Sequence, residues 1–277
     1  MPLLRDARPL IRHAFAHAYL LPAFNVCSLE MARACLEAAE LERAPVILQT
    51  YPTDLQQAPA PVLFAMVRAL AEDARVPVVL HLDHGSGFDM AVACLRAGYG
   101  SVMYDGAARP LAEIIETTRR ISRVTHAARA ALEVAADSFH HGQATPSDPN
   151  TARRLLQEGC ADMVACSVGS EHGQTAQLDL DRLAEIADAV KGPLVLHGGS
   201  GISAEDYDAA RHHGVVKANI GSALYRALRQ TWAESADAAS HREVYQRARA
   251  ALREVAREKI RIMHASGMAT KVRDSLG

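Results

Sequence analysis

Eight short runs of apolar and β-branched residues recur along the chain, and they constrain its fold more than any other feature. Nearly continuous apolar runs of this length are typical of strands buried on both faces of a parallel sheet. The stretches between them have the apolar spacing of helices that cover a sheet on one side. Eight such units in 277 residues predict an α/β fold, a closed (β/α)8 TIM barrel, rather than an open sheet. The runs are LPAFNV from Leu21, PVILQT from Pro45, VPVVLHLD from Val76, GSVMYD from Gly100, AALEVA from Ala130, DMVACS from Asp162, PLVLHG from Pro193 and VVKANI from Val215.

No linker interrupts this series, so we expect residues 1–277 to form one barrel domain. After the eighth strand, residues 222–277 interleave Lys and Arg with Ala, Leu and Ile, which predicts extra helices at the C-terminus. This segment is longer than a single covering helix. It is therefore a candidate for contacts between subunits.

The charge and hydropathy of the chain exclude several classes of partner. Lys and Arg total 30 against 32 Asp and Glu, so there is no basic excess to bind a nucleic-acid backbone. No run approaches the ~20 apolar residues of a membrane span, and the N-terminus lacks the apolar stretch of a signal peptide. The five cysteines form no CxxC pair and are expected to be inert thiols. We therefore expect a cytoplasmic protein with neither nucleic acid nor membrane as a partner.

Polar side chains stand at the C-terminal ends of the predicted strands, where barrel enzymes place their chemistry. His84 ends the third strand, His172 follows the sixth and His197 ends the seventh. A lone histidine is more often solvated or hydrogen-bonded, but three at equivalent barrel positions favour one catalytic metal ion. Three imidazoles with a fourth open position predict Zn²⁺. The other polar residues at strand ends are Asn25, Asp83, Asp105, Glu133 and Asn219.

Two loops that contain glycine follow the seventh and eighth predicted strands. The first is HGGSG, from His197 to Gly201, and the second is the Gly221-Ser222 pair after Asn219. Backbone N–H groups at a helix N-terminus bind phosphate, and Ser200 and Ser222 add hydroxyl donors. Glycines alone would more often mark a tight turn. Their placement after adjacent late strands favours a phosphate site.

Taken in order, these motifs resemble the class II, zinc-dependent fructose-bisphosphate and tagatose-bisphosphate aldolases. The resemblance implies that His84, His172 and His197 bind one catalytic Zn²⁺. It implies that Asp83 is the acid/base that takes the proton from the C4 hydroxyl during cleavage. It also implies a homodimer or homotetramer. The implied phosphate- and substrate-binding residues are Asn25, Gly173, Gly198, Gly199, Ser200, Asn219, Gly221 and Ser222. The motifs are PAFN (22–25), HLDHG (81–85), SVMYD (101–105), SVGSEHG (167–173), LHGGSG (196–201) and KANIGS (217–222).

A metal ion that polarises the ketone removes the need for a Schiff-base lysine. The lysines near the late strands are Lys191 and Lys217. We expect neither of them to lie in the setting of a desolvated amine nucleophile.

Several positions depart from the family pattern. The family's second glutamate after the fifth strand falls on Ala135, so a second metal site built on Asp105 and Glu133 is expected to be incomplete. These two carboxylates are otherwise candidates for supporting the first site. The loop that follows has no glutamate, which leaves His140 and His141 as candidate proton carriers. With QTY replacing the family's serine after the second strand, these changes indicate a different or smaller substrate.

Three functions remain open at this point. The first is a metal-dependent aldolase, a lyase of carbohydrate metabolism that acts on a phosphorylated ketose and gives dihydroxyacetone phosphate or a related ketone plus an aldehyde. The second is a zinc hydrolase, which commonly needs His-x-His at the end of the first strand, where this chain has Asn25-Val26-Cys27. The third is a non-catalytic sugar-phosphate-binding barrel. The histidine triad and Asp83 favour the aldolase.

Overall fold

The computed structural model describes residues 3–107, 109–135, 146–169 and 177–276. Eight parallel strands form a closed ring in which each strand pairs with its neighbours in sequence and the eighth pairs with the first. The prediction of a (β/α)8 barrel is confirmed, and each of the eight apolar runs contains one strand. The strands are β1 (Leu21–Asn25), β2 (Val46–Thr50), β3 (Val78–Gly85), β4 (Ser101–Asp105), β5 (Ala131–Ala135), β6 (Met163–Cys166), β7 (Leu194–Leu196) and β8 (Val215–Ile220). A two-residue strand, Leu3–Leu4, pairs with β3 near its start.

Helices surround the ring and continue beyond β8. A short 3-10 helix, Gly199–Gly201, follows β7. The segment predicted at 222–277 is helical, and its long middle helix α11 packs against α2, where Glu42 accepts hydrogen bonds from Arg257 and Arg261. The helices are α1 (Arg8–His17), α2 (Leu29–Glu42), α3 (Pro52–Gln57), α4 (Ala60–Ala71), α5 (Phe88–Ala97), α6 (Leu111–Ala127), α7 (Pro149–Gln157), α8 (Leu180–Val190), α9 (Ala204–His212), α10 (Ser222–Ala233), α11 (His241–Ile262) and α12 (Met268–Leu276).

Local sequence determines where many of these helices begin. Ser28, Asp148, Asp179, Ser203 and Ser240 each accept a hydrogen bond from a backbone N–H group in the first turn of the helix that follows. Such caps satisfy N–H groups that have no partner within the helix. They fix the point at which each loop at the mouth of the barrel ends.

The strands are buried along almost their whole length, and a continuous apolar core joins them to the surrounding helices. Burial on both faces explains why the strands appear in the sequence as unbroken apolar runs. Among the described residues, no helix has the length and apolar character required to cross a lipid bilayer.

Candidate metal centre

Asp83 and His84 are consecutive residues of β3, yet both belong to one site at the mouth of the barrel. In a regular strand, neighbouring side chains point to opposite faces. The pairing of β3 with β4 shifts register between Leu82 and Gly85, and His84 has a φ of 52°, in the left-handed region. A bulge of this kind turns a side chain that would otherwise point away. The local irregularity therefore brings both residues into the mouth.

Three buried side chains form a group that can bind a metal ion. One ligand atom from each of Asp83, His84 and His197 lies within 4.8 Å of the others. His84 ends β3 and His197 follows β7, which are opposite strands in a ring of eight. The group therefore lies across the mouth rather than on one wall.

The two imidazoles have their tautomers fixed by carboxylates. His84 Nδ1 lies 2.6 Å from Asp105 Oδ2, and His197 Nε2 lies 2.9 Å from Glu133 Oε1. Because a carboxylate only accepts hydrogen bonds, each of these ring nitrogens carries the proton. The remaining nitrogens, His84 Nε2 and His197 Nδ1, are 3.0 Å apart. Their lone pairs face each other, an arrangement that a shared cation stabilises, so this donor set fits a metal ion.

Asp83 is held by amide groups from three other strands. Its Oδ2 accepts hydrogen bonds from Asn25 Nδ2 at 2.8 Å and from Gln49 Nε2 at 3.1 Å. Its Oδ1 accepts one from Asn219 Nδ2 at 2.9 Å. Burial disfavours the charged carboxylate, but the neighbouring histidines, Lys217 and these amides outweigh burial and lower the pKa of Asp83. Asp83 is therefore an oriented, ionised base.

Lys217 lies below these residues in β8 and is fully buried. Its Nζ is 2.9 Å from Glu133 Oε2 and 2.5 Å from Asn219 Oδ1. We expected Lys217 to lie outside a desolvated setting, and its complete burial shows that this part of the expectation is wrong. Both contacts are to acceptors, and the Nζ is held in an ion pair with Glu133 rather than available as a nucleophile. Lys191 is exposed at the end of α8.

Burial and charge move the pKa values of the histidines in different directions. Burial lowers the pKa of His84, but Asp83 and Asp105 outweigh it and the net shift is upward. Burial dominates at His197 and lowers its pKa, although Glu133 opposes the shift. His81, a further histidine of β3, is fully buried, and burial lowers its pKa to about 3. Desolvation alone would raise the pKa values of Asp105 and Glu133, but hydrogen-bonded and charged neighbours lower both.

The predicted phosphate loops meet at the N-terminus of α10. Ser200 Oγ accepts a hydrogen bond from the backbone N–H of Ala223, in the first turn of α10, at 3.1 Å. Gly221 precedes this helix, and a Cβ on it would lie 3.1 Å from Asn25 Oδ1. Gly198 has a φ of 69°, which glycine adopts readily, and it leads into the 3-10 helix after β7. The structure thus brings Asn25, Ser200, Asn219, Gly221 and Ser222 to one side of the mouth, beside Asp83.

Some predicted site residues fall outside the described residues. These are His140, His141, His172 and Gly173. Asp105 and Glu133, candidates for a second metal site or for support, lie against the outer nitrogens of the two described histidines.

Sequence reasoning missed several residues of the site. Gln49, His81 and Lys217 were not assigned to the site, although each lies two residues from, or pairs in register with, a predicted site residue. Period-two spacing along a strand is the signal that would have found them. Tyr51, directly after β2, is half-buried, with its ring centroid 5.3 Å from that of His84. It therefore forms part of the wall around the metal centre.

Comparisons with known proteins agree with the barrel fold. The sequence matches the family described as fructose-bisphosphate aldolase class-II over residues 5–268. The crystal structure of the YdjI aldolase from Escherichia coli K12 is 29% identical, with a TM-score of 0.88, covering 96% of this chain and 99% of that one. A fructose-bisphosphate aldolase (Fba) from Campylobacter jejuni has the same fold at 20% identity, with a TM-score of 0.80 and coverage of 95% and 96%. The chain therefore belongs to the class II fructose-bisphosphate aldolase family.

Proposed function

We propose that this protein is a zinc-dependent aldolase that cleaves or forms a carbon–carbon bond in a phosphorylated ketose. The products of cleavage would be dihydroxyacetone phosphate, or a related ketone, and an aldehyde. The observation that carries the proposal is the pair of imidazole nitrogens facing each other 3.0 Å apart beside the oriented carboxylate of Asp83. The family match and the similarity to the YdjI aldolase support the reaction class.

The residues that would hold the metal are His84 and His197, with His172 added by the family resemblance. When bound, Zn²⁺ supplies a Lewis acid that polarises the ketone of the substrate. Asp105 and Glu133 accept from the outer nitrogens of the two described histidines, so the lone pair of each neutral ring lies on the nitrogen that would bind the metal.

Asp83 is the group that moves the proton. In the cleavage direction it accepts the proton of the C4 hydroxyl, while the electrons of the breaking C3–C4 bond stay on the ketone fragment. Its three amide partners hold the carboxylate in place, and its lowered pKa keeps it ionised for this step. In the synthetic direction it returns the proton to the aldehyde oxygen.

The phosphate of the ketone fragment would lie where the loops after β7 and β8 meet. The N-terminus of α10 presents backbone N–H groups and the positive end of the helix dipole. Gly198, Gly199 and Gly221 allow a phosphate to approach the backbone closely, and Ser200 and Ser222 contribute hydroxyl groups.

The experiment is a panel of ketose phosphates incubated with the purified protein, with triose phosphate release as the readout and metal content measured on the same samples. We expect about one zinc ion per chain and release from at least one member of the panel. The His84→Ala variant should lose both metal and activity, whereas His212→Ala, which removes an exposed histidine of α9, should lose neither.

Two results would contradict the proposal. One is a protein without metal after gentle purification, and the other is full retro-aldol activity in His84→Ala. A protein that binds ketose phosphates and zinc but releases nothing would instead support the non-catalytic binding barrel, for which the missing loop glutamate is the motivating feature.

A further inference from the structure

The charges at the mouth of the barrel bear on how many phosphate groups the substrate carries, and this inference rests on the proposed aldolase function. In the sequence, eight segments lie between a strand and the helix that follows it: 26–28, 51, 86–87, 106–110, 136–148, 167–179, 197–203 and 221. Their sequences contain one Lys or Arg in total, Arg109. Each phosphate group carries a charge of about −1.5 to −2 at neutral pH, so a bisphosphate brings about −3 to −4. Such a charge requires several cations or N–H donors.

Backbone N–H groups can bind one phosphate without cationic side chains from these segments. The N-terminus of α10 and the glycine-rich segment after β7 supply backbone N–H donors, as described above. His197 begins the loop after β7, so these donors lie on the His197 side of the metal centre. Arg226, in the second turn of α10, also belongs to this side of the ring.

The His84 side of the metal centre has a different character. Tyr51 follows β2, two strands away from β8 in the closed ring, and packs against His84 of β3. The Tyr51 backbone is fixed at the start of α3, because its N–H donates to Asp54 Oδ2 at 2.8 Å and its carbonyl accepts from Asp54 N at 2.9 Å. The backbone that carries the aromatic ring is therefore held in place, and the ring forms a wall on the His84 side.

Among the described residues, carboxylates border this aromatic wall. Asp54 lies against the Tyr51 backbone, and Asp105 is 2.6 Å from His84. Arg109, the single basic residue of these segments, is more than half exposed and forms a 3.9 Å ion pair with Glu113 of α6. A phosphate on this side would meet like charge.

We propose that the natural substrate carries its only phosphate at the ketone end and that the aldehyde it releases is not phosphorylated. Tyr51 is then a specificity-determining residue, because its ring covers the side of the mouth that receives the aldehyde. The non-phosphorylated end packs its carbon chain against the ring, while the phosphate stays at α10.

The first measurement tests the ketone half alone. Dihydroxyacetone phosphate is incubated with the zinc-loaded protein in deuterated water, and exchange of its hydroxymethyl proton is followed by NMR. No aldehyde is present, so exchange depends on the metal and phosphate sites but not on the aldehyde side. Exchange is expected. If neither proton exchange nor condensation is observed, the aldolase function itself is contradicted, and with it the proposal about the aldehyde.

The second measurement compares matched aldehydes in condensation with dihydroxyacetone phosphate. The pairs are glycolaldehyde, D-glyceraldehyde and D-erythrose, each against its terminal phosphate ester. We expect kcat/KM to be at least about tenfold higher for the uncharged member of each productive pair, from like-charge repulsion at the mouth. The difference should shrink severalfold between roughly 0.02 and 0.5 M ionic strength, because salt screens exposed charges. Two outcomes overturn the proposal when proton exchange of dihydroxyacetone phosphate is observed. In the first, kcat/KM is equal or higher for the phosphorylated aldehydes, and in the second, no aldehyde condenses.

A pair of charge variants separates repulsion from shape. Asp54→Asn removes one negative charge and keeps the acceptor for the Tyr51 N–H, so the preference should fall about two- to fivefold. Asp73→Asn removes the same charge between α4 and β3, at the other end of the barrel, and should leave the preference unchanged. Tyr51→Phe keeps the aromatic wall and should keep the preference. A preference that does not change in Asp54→Asn or with salt would mean that charge does not set it.

Discussion

Lys217 orients two groups of the site, the Asn219 amide and the Glu133 carboxylate. An ammonium has only donors, so the oxygen of the Asn219 amide must face Lys217 and its NH₂ group must face Asp83. The same ammonium occupies Glu133 Oε2, which leaves Glu133 Oε1 for the N–H of His197. One buried cation therefore fixes the amide that holds the acid/base and the carboxylate that sets the tautomer of a metal ligand.

Replacing Lys217 by Met should weaken both the fold and the metal site. Breaking a buried ion pair leaves an uncompensated charge, here on Glu133, and typically costs about 3–5 kcal/mol of unfolding free energy. Metal affinity should fall about 10- to 100-fold, because Glu133 no longer has a fixed orientation toward His197. Urea unfolding and chelator competition measure the two effects.

The double variant Lys217→Met, Glu133→Gln is the matched control for this prediction. It removes both charges and keeps an oxygen that accepts the His197 N–H, so it should recover part of the lost stability. Wild-type stability and metal affinity in the single variant would show that the ammonium does not organise the site.

Asp83→Asn should separate the acid/base role from a role as metal ligand. Loss of a general acid/base typically lowers kcat about 10²- to 10⁴-fold. Because all three partners of Asp83 donate, the new NH₂ group must face a donor, which should also cost about 1–3 kcal/mol of stability. Zinc content should stay at the wild-type level. Loss of metal from this variant would instead make Asp83 a ligand.

At the level of secondary structure elements, the sequence predicted the eight strands because strands buried on both faces need apolar side chains throughout. It also predicted which strand ends carry polar groups. It did not predict the bulge in β3, because the register shift between Leu82 and Gly85 arises from pairing with β4, which no local pattern records. Lys217 and Gln49 were missed for the same reason, since their partners lie on other strands.

The loop after β7 depends on the absence of a side chain at Gly199. A Cβ there would lie 2.6 Å from Tyr207 Oη and 2.9 Å from the backbone oxygen of Asn219. Tyr207 donates to the Gly199 carbonyl and Asn219 is fixed in β8, so the loop itself must move. Gly199→Ala should therefore displace the N–H groups of the phosphate site.

We expect Gly199→Ala to raise KM for a phosphorylated substrate about tenfold and to cost about 1–3 kcal/mol of stability. Steady-state kinetics and urea unfolding measure the two changes. Gly267→Ala is the control: Gly267 has a φ of 78° and open space around an added Cβ, and it lies before α12, away from the mouth. It should lower stability and leave KM unchanged. An unchanged KM in Gly199→Ala would remove this loop from the phosphate site.

For the whole molecule, the closed ring places polar and charged groups in a core that is otherwise apolar. Length and the count of apolar runs were sufficient to predict this architecture, since eight strand–helix units have few ways to bury their faces. How the interior charges compensate one another could not be predicted, because it depends on which side chains meet across the barrel. The homodimer or homotetramer stays a prediction.

His81 shows how one such interior group affects the stability of the whole protein. Its Nδ1 lies 2.8 Å from Ser101 Oγ, while its Nε2 lies 3.6 Å from Glu133 Oε2 and has no hydrogen-bond partner in the described part of the chain. Burial, aided by Lys217 and His197, lowers its pKa to about 3, although Glu133 and Asp83 oppose the shift. Between about pH 3 and 6.5, the unfolded chain binds a proton at His81 that the folded protein does not bind.

Stability should therefore fall as the pH falls through this window. For His81 alone, the loss between pH 6.5 and 4.5 is about 2 kcal/mol. His197 acts in the same direction, and His84, whose pKa is raised, acts in the opposite one. The comparison is urea unfolding of the wild type and His81→Gln at both pH values, with chelator present to remove metal. The variant should lose about 2 kcal/mol less than the wild type. Equal losses in the two proteins would show that His81 is protonated in the folded state.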